Sequence, residues 1–590
     1  MRKQSFVLSA IILTLGGFFA KAIGAIYKIP LTNILGSSGM GVYYLIFPIY
    51  SLVIAICSSG VGVALSTEVA KCRKIHHRYN EQKLLRVALV FTFIISLIAS
   101  VIIIFLSSTF AEMQGNMNAR AGYIAISPAI ILSSLIATVR GYFQGIENMV
   151  PTTVSMIIEQ IVKLSVGLVL AHKLCIYGVE YAVLGAILGV TLSEVVALII
   201  IVINFISYKG QLDYNYRNKF FKNRQRKNLS PIIKCKDTIK INNKNIQNKT
   251  FICNSKNIRY SNKVALIKLL NVAIPCTLSS ILIPISTMLD SFVIINLLVK
   301  SGYSLIISTS LYGIWGGIIQ ALISLPTIIV SAIATSLVPA LSGLVVRNDT
   351  NEIRNKISFY IKLTLVLSIA MFVIFYVFAE DMLRFLYGDG LRTHVIDELY
   401  CATKMLKLSS LTIIYYAFLQ TFTAILQTIG KSRMPFYAMF VGLIVRTLLV
   451  FVLVSIPNVN IFGVVIANII FLCVADIILC KCIKKRVDLE YNLYNNLLKP
   501  VILGAVILVL CEFAKYAFGS IINYLILAII LGVLELMFYG FLVYFGRVFT
   551  PRELEQFRLK RTKISKWIWR LKLRFWAKII NTYQNLPILP

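Results

Sequence analysis

Long apolar runs alternate with short polar breaks over most of the chain. A bilayer-spanning helix needs about 20 mostly apolar residues, and runs of that kind fall at 5–34, 41–66, 84–108, 119–140, 152–172, 181–207, 264–298, 304–342, 357–379, 402–429, 434–456, 461–482, 497–518 and 521–546. The pattern predicts an all-α polytopic membrane protein with about 14 transmembrane helices. The runs at 5–34, 264–298 and 304–342 exceed one crossing, and Pro30, Pro284, Pro326 and Pro339 predict kinks within them. The opening MRKQS is basic, but the apolar stretch behind it is long and carries Lys21 and Lys28, so it predicts a retained first helix rather than a cleaved signal.

Residues 208–263 break the pattern with fifteen basic residues, two acidic ones and eleven Asn. They predict a basic cytoplasmic linker. It separates a six-helix set over 1–207 from a second over 264–482, followed by two more helices in 483–547 and a basic tail from 548 to 590. Six is even, so both sets start on the same side, the arrangement of parallel repeats related by an axis along the membrane normal.

Composition sharpens this. Of 590 residues, 58% are apolar and 14% charged, against about 25% charged in soluble domains, and mean hydropathy is +0.81. An ordinary soluble protein, a disordered chain and a disulfide scaffold are excluded. The net charge of +35 would suggest nucleic acid in a soluble protein. Here its placement matters instead: 45 of the 59 Lys and Arg fall on the side of the N-terminus and seven in the opposite loops. Cytoplasmic loops collect Lys and Arg, so both termini are expected on the cytoplasmic side of the membrane, with no nucleic-acid partner. The tail segment from Lys566 to Trp576 mixes cations with three of the four tryptophans, which predicts a helix lying on anionic lipids of the inner leaflet. Walker A, HExxH and GxSxG motifs are absent, and the eleven cysteines include no CxxC pair. The expectation is a non-enzyme without cofactor or metal. The 380–401 loop, with its acidic residues and His394, reads as solvated.

A charge near the bilayer centre costs roughly 2.5–3.5 kcal/mol on insertion scales, so it faces a cavity or a partner. Lys21 and Lys28 are seven residues apart and share one helical face with Gly17 and Gly24. Lys21 lies roughly 24 Å along the helix from Ser5, near the midplane. Two cations on one stripe need acidic partners or an anionic ligand. Glu159 and Lys163 stand four apart and are placed to pair. Glu194 and Glu535 are mid-span carboxylates without a local cation, Asp290 follows Pro284, Arg446 is mid-helix, and Asp476 sits near the cytoplasmic end of its run.

Several stretches resemble the stage V sporulation protein B group of bacterial oligosaccharide flippases, within the superfamily that also holds lipid II flippases and multidrug extruders. The clearest is Arg140-Gly141-Tyr142-Phe143-Gln144-Gly145, followed by Asn148-Met149, Pro151-Thr152 and Glu159-Gln160. Tyr177–Tyr181, Ser324–Leu341 and Arg384–Gly388 support it. The resemblance implies two six-helix lobes around a central cavity, with basic residues on the first helix meeting the diphosphate of a lipid-linked saccharide. It also implies cell-wall synthesis proteins as partners and roles in polysaccharide, peptidoglycan or sporulation pathways. The chain departs from the lipid II flippase pattern in lacking a basic residue in the middle of helix 2. It also has Arg446 on helix 11, where sodium-coupled members place Asn and Asp.

The expected function is a flippase carrying an isoprenoid diphosphate-linked saccharide from inner to outer leaflet by alternating access. Lys21, Lys28 and Arg446 are the expected cargo-binding residues. Glu159, Glu194 and Asp290 are candidates for coupling or gating, and Arg140, Gly141, Gln144 and Gly145 form a structural motif. The alternatives are a multidrug extruder, a polytopic glycan polymerase or ligase, and a sporulation scaffold.

Overall fold

The computed structural model describes residues 6–74, 78–227, 260–347, 350–388, 397–431, 433–457, 459–487, 498–518, 524–549 and 553. Among them every regular element is helical. The first half holds α1 (Phe6–Ile54), α2 (Gly60–Lys74), α3 (Arg78–Phe105), the short α4 (Ser107–Met113), α5 (Ala119–Gly145), α6 (Val150–Leu174) and α7 (Val179–Lys227). Then come α8 (Asn262–Ser280), α9 (Leu282–Lys300), α10 (Leu305–Gly313), α11 (Gln320–Arg347), α12 (Thr350–Val377), α13 (Ala379–Tyr387), α14 (Glu398–Thr428), α15 (Met434–Val454) and α16 (Phe462–Val487). Two further helices, α17 (Lys499–Phe518) and α18 (Tyr524–Phe545), complete the bundle.

Fourteen helices are long and apolar enough to cross a membrane, the expected number divided differently. The apolar stretch Leu15–Arg73 holds two of the predicted runs. At 1.5 Å per residue its 59 residues would reach roughly 90 Å, about three times a hydrocarbon core. The division falls at Gly36, whose φ of 68° suits a residue without Cβ, and not at Pro30, which the helix runs through. Conversely, the run predicted at 264–298 is two helices, parted at Ile281. Pro284 explains that break: it has no N–H for the Ser280 carbonyl and its ring would collide with it. α8 starts beside Asn80, which accepts from Tyr260 N at 3.0 Å. α9 ends near α4, where Asn296 Nδ2 donates to Met113 O at 2.7 Å. The two together therefore make one bent crossing. α7 continues to Lys227, past its predicted end at 207. Residues 228–259 and the tail segment 566–576 lie outside the described residues.

Two π turns interrupt the helices, at Ala55–Ser59 between α1 and α2 and at Ile314–Ile319 between α10 and α11. α17 and α18 lie against α12, with Gly504 on Ile369, and Tyr539 donates to Pro500 O at 3.3 Å.

The two halves meet at both ends of the bundle. At the end away from the N-terminus, a large apolar cluster takes Tyr27, Leu31 and Met40 from α1 together with Ile294, Ile318, Leu383 and Met405. Gly313 lies directly on the Ser37 carbonyl and Gly41 on Thr309, leaving no room for a side chain at either glycine. Polar bonds reinforce this seal: Ser37 Oγ donates to Glu398 Oε1 at 2.6 Å, Gln114 Nε2 to Ser291 Oγ at 2.9 Å, and Asn116 Nδ2 to Thr309 Oγ1 at 3.2 Å. At the N-terminal end α2 packs on α8, with Gly60 against Ala273 and the Ser59 and Ser280 hydroxyls 2.5 Å apart.

Candidate functional site

Between these contacts lies a cavity of about 300 Å³ lined by both halves. α1 contributes Lys28, Tyr44 and Phe47, α9 contributes Ser286 and Asp290, and α15 contributes Arg446. Tyr312, Trp315, Gln320, Tyr416 and Asn468 add to its polar and aromatic wall. Aromatic and aliphatic groups make most of the surface, with a few convergent polar groups, the usual composition of a ligand site.

Three lining residues carry charge. Arg446 grips Asp290 with both terminal nitrogens, at 2.9 Å to Oδ1 and 2.5 Å to Oδ2, and also donates to Ser286 Oγ at 2.6 Å. Arg446 is 5% and Asp290 7% exposed, so this is a buried, bidentate, mutually neutral pair. Lys28 makes no ion pair with any described residue. Its Nζ lies 5.1 Å from the centroid of the Tyr44 ring, a cation–π contact. Among the described residues, the cavity therefore keeps one uncompensated positive charge. Lys21, on the same stripe of α1, is exposed and does not line the cavity.

A second cavity of about 310 Å³ lies inside the first half. It gathers Arg140 from α5, Glu159 and Lys163 from α6 and Glu194 from α7. Arg140 Nη2 bonds Glu159 Oε2 at 2.8 Å and its Nε donates to Ser155 Oγ at 2.9 Å, while Gln160 donates to Glu159 Oε1 at 2.9 Å. The motif singled out in the sequence is thus one assembled unit: Gly141 and Gly145 lie on the backbone of α2 at Gly62 and Ser66, and the Gln144 carbonyl accepts from Glu147 N at 3.0 Å as the helix ends. The i, i+4 pairing expected for Glu159 and Lys163 does not form, because Arg140 reaches the carboxylate from the neighbouring helix. Lys163 instead lies 5.3 Å from the Tyr27 ring centroid and 5.4 Å from that of Phe47. Glu194 accepts from Ser133 Oγ at 2.6 Å and from Tyr50 at 3.5 Å.

Of the carboxylates flagged in the sequence, Asp476 and Glu535 join neither cavity; both are buried, and none of their oxygens has a hydrogen-bond partner among the described residues. The sequence did not single out Trp315 or Lys163 as site residues. Trp315 carried a signal, as the one tryptophan inside an apolar run instead of in the tail.

Family comparison agrees with this architecture. Residues 6–233 match the model for polysaccharide biosynthesis proteins, and residues 246–544 match that for the lipid II flippase MurJ. The chain belongs to the MurJ flippase family. It is a multi-pass membrane protein of a transporter family, not an enzyme. Stage V sporulation protein B of Bacillus subtilis (strain 168) is 25% identical over 525 residues, covering 89% of this chain and 91% of that protein. The lipid II flippase MurJ of the same organism is 21% identical, covering 87% and 89%. In fold, the chain matches a lipid II flippase MurJ in an inward closed conformation with a TM-score of 0.65 at 16% identity, covering 91% of this chain and all 100% of that one. It matches an inward-facing multidrug transporter of the MATE family at 0.59 and 15%, covering 79% and 94%. The segment matched to the MurJ family model holds Asp290 and Arg446; the polysaccharide biosynthesis match holds Lys21, Lys28, Arg140, Glu159, Lys163 and Glu194.

Proposed function

We propose that this chain moves an isoprenoid diphosphate-linked saccharide from the inner to the outer leaflet by alternating access, with Lys28 holding the diphosphate in the central cavity. The observation that carries this reading is the charge arrangement there: Arg446 and Asp290 satisfy each other, and among the described lining residues Lys28 alone is left for an anion. An ammonium binds phosphate as a point charge, and a poorly solvated cavity strengthens the attraction. An organic cation, the cargo of a multidrug extruder, would want a free carboxylate, whereas Asp290 is occupied.

Lys21, exposed and two turns nearer the N-terminal end of the same stripe, acts as an entry-side cation. Arg446 joins the site when it exchanges Asp290 for the cargo. Glu159, Glu194 and Asp290 are the groups whose change of partner couples or gates the movement. The moving bodies are the six-helix sets 1–207 and 264–482, and the matching π turns in the second crossing of each set support that division. The charge asymmetry of the loops supports cytoplasmic termini, so the Gly41–Thr309 and Gly313–Ser37 contacts form the outer gate. The tail rests on anionic lipid, and proteins of cell-wall synthesis receive the cargo.

The test is scrambling in vesicles containing the full chain, using a fluorescent polyprenyl-diphosphate disaccharide and an external quencher. Lys28→Gln is expected to lower the rate at least tenfold while Lys28→Arg retains most of it. Unchanged flipping by Lys28→Gln would remove the central cavity from the mechanism.

A further inference from the structure

Phe47 lines both the central cavity and the cavity inside the first half. Its ring packs against Tyr43, Tyr50 and Tyr44, with centroids 4.5, 5.9 and 6.4 Å away. This aromatic wall has an ammonium on each face: Lys28 over Tyr44 on the central side, and Lys163 over Phe47 and Tyr27 behind it. The other charged groups around Lys163 already have hydrogen-bonding partners. Glu159 is held by Arg140 and Gln160, and Glu194 by Ser133 and Tyr50. Lys163 makes no ion pair with any described residue and rests on aromatic faces, a contact weak enough to give way to an anion.

We propose that the cavity behind Phe47 is a second part of the anion site, with Lys163 as its binding cation and Phe47 as the partition whose side-chain rotation joins the two spaces. The inference rests on the reading of the central cavity as a diphosphate site. A diphosphate diester carries two ionised oxygens, and the central cavity offers one free cation while Asp290 retains Arg446. Lys163 supplies the second from a distance of one aromatic ring. The rings around Phe47 hold both ammonium groups when no anion is present, and Phe47 suits the moving part because its side chain has no polar atom and so no hydrogen bond to break when it turns.

The test is calorimetric titration of the full chain in detergent with inorganic pyrophosphate. Lys163→Gln is expected to weaken binding about tenfold, which is ~1.4 kcal/mol, with Lys163→Arg restoring most of it. Phe47→Ala, which removes the partition, is expected to tighten binding about threefold, and that gain should vanish in Phe47→Ala/Lys163→Gln. Phe47→Leu should fall between, which keeps the series readable if the alanine variant folds poorly. Binding unchanged by Lys163→Gln, or a Phe47→Ala gain that survives loss of Lys163, overturns the inference. If Lys28→Gln abolishes binding while Lys163→Gln leaves it intact, the central site stands and the second does not. No effect from either sinks both.

Discussion

Replacing Asp290 with Asn should move stability and anion affinity in opposite directions. Both terminal nitrogens of Arg446 bond that carboxylate, and the two residues are 5% and 7% exposed. Removing one member of a buried pair leaves an uncompensated charge and costs about 3–5 kcal/mol. The same change raises the charge of the cavity from one uncompensated cation to two. A cavity of about 300 Å³ is roughly 8 Å across, and unit charges at that separation interact by roughly 2 kcal/mol at an effective dielectric of about 20. An anion there should bind roughly 30-fold more tightly. Detergent-induced unfolding gives the first quantity and titration with pyrophosphate the second. Asp290→Asn/Arg446→Gln should recover more than half of the lost stability, the coupling expected of residues in direct contact. The gain in affinity should disappear in the same variant. Additive losses in the double variant would show that the two side chains act separately, and unaltered pyrophosphate affinity in Asp290→Asn would show that Arg446 does not face the ligand.

Glu535 is 2% exposed with neither oxygen partnered among the described residues, so Glu535→Leu should stabilise the fold by about 1–3 kcal/mol in the same unfolding assay; a loss of stability would reveal a hydrogen-bonded role. At Gly313 an added methyl would meet the Ser37 carbonyl and Gly41. Gly313→Ala should therefore weaken the seal by about 1–3 kcal/mol and increase labelling of a cysteine introduced at Tyr44 by a membrane-impermeant thiol reagent applied to the face opposite the N-terminus. Labelling equal to that of the unaltered glycine would mean that these helices are not the gate.

The number of crossings was legible because an apolar run is a local property. The break at Gly36 falls between the runs 5–34 and 41–66, and the parting of α8 from α9 follows the kink predicted at Pro284. The kink expected at Pro30 does not divide the helix, which runs on to Gly36, because a proline leaves a helix continuous where packing holds it, whereas the φ of 68° at Gly36 does not. Pairing between charges was the least legible feature. Glu159 and Lys163 have ideal spacing on one helix, yet Arg140 takes the carboxylate, and its guanidinium also reaches Ser155. The geometry of two-point bonding outweighs a single i, i+4 contact of about 0.2–0.5 kcal/mol. The link between Asp290 and Arg446 spans two helices far apart in the chain, and no periodicity predicts it. By contrast, Lys28 was visible from the sequence, because a lysine deep in an apolar run with no acid on its own helix must face a cavity or a partner on another.

The two cavities distribute charge in different ways, and the difference bears on the proposed transport cycle. In the central one the cation and anion that pair come from α15 and α9 of the second half, while the free Lys28 comes from α1 of the first. An anion bound to Lys28 would therefore draw Arg446 across the boundary between halves, and every ångström of that approach would loosen its hold on Asp290. In the inner cavity all four charged groups belong to the first half, so their exchange bends that half without pulling on the other. Cargo binding in the central cavity is thus the event able to change how the halves meet, and the Lys163 side is suited to adding affinity. If that division is right, Lys163→Gln should raise the cargo concentration needed for half-maximal flipping and leave the maximal rate nearly unchanged, whereas Arg446→Gln should depress the maximal rate itself.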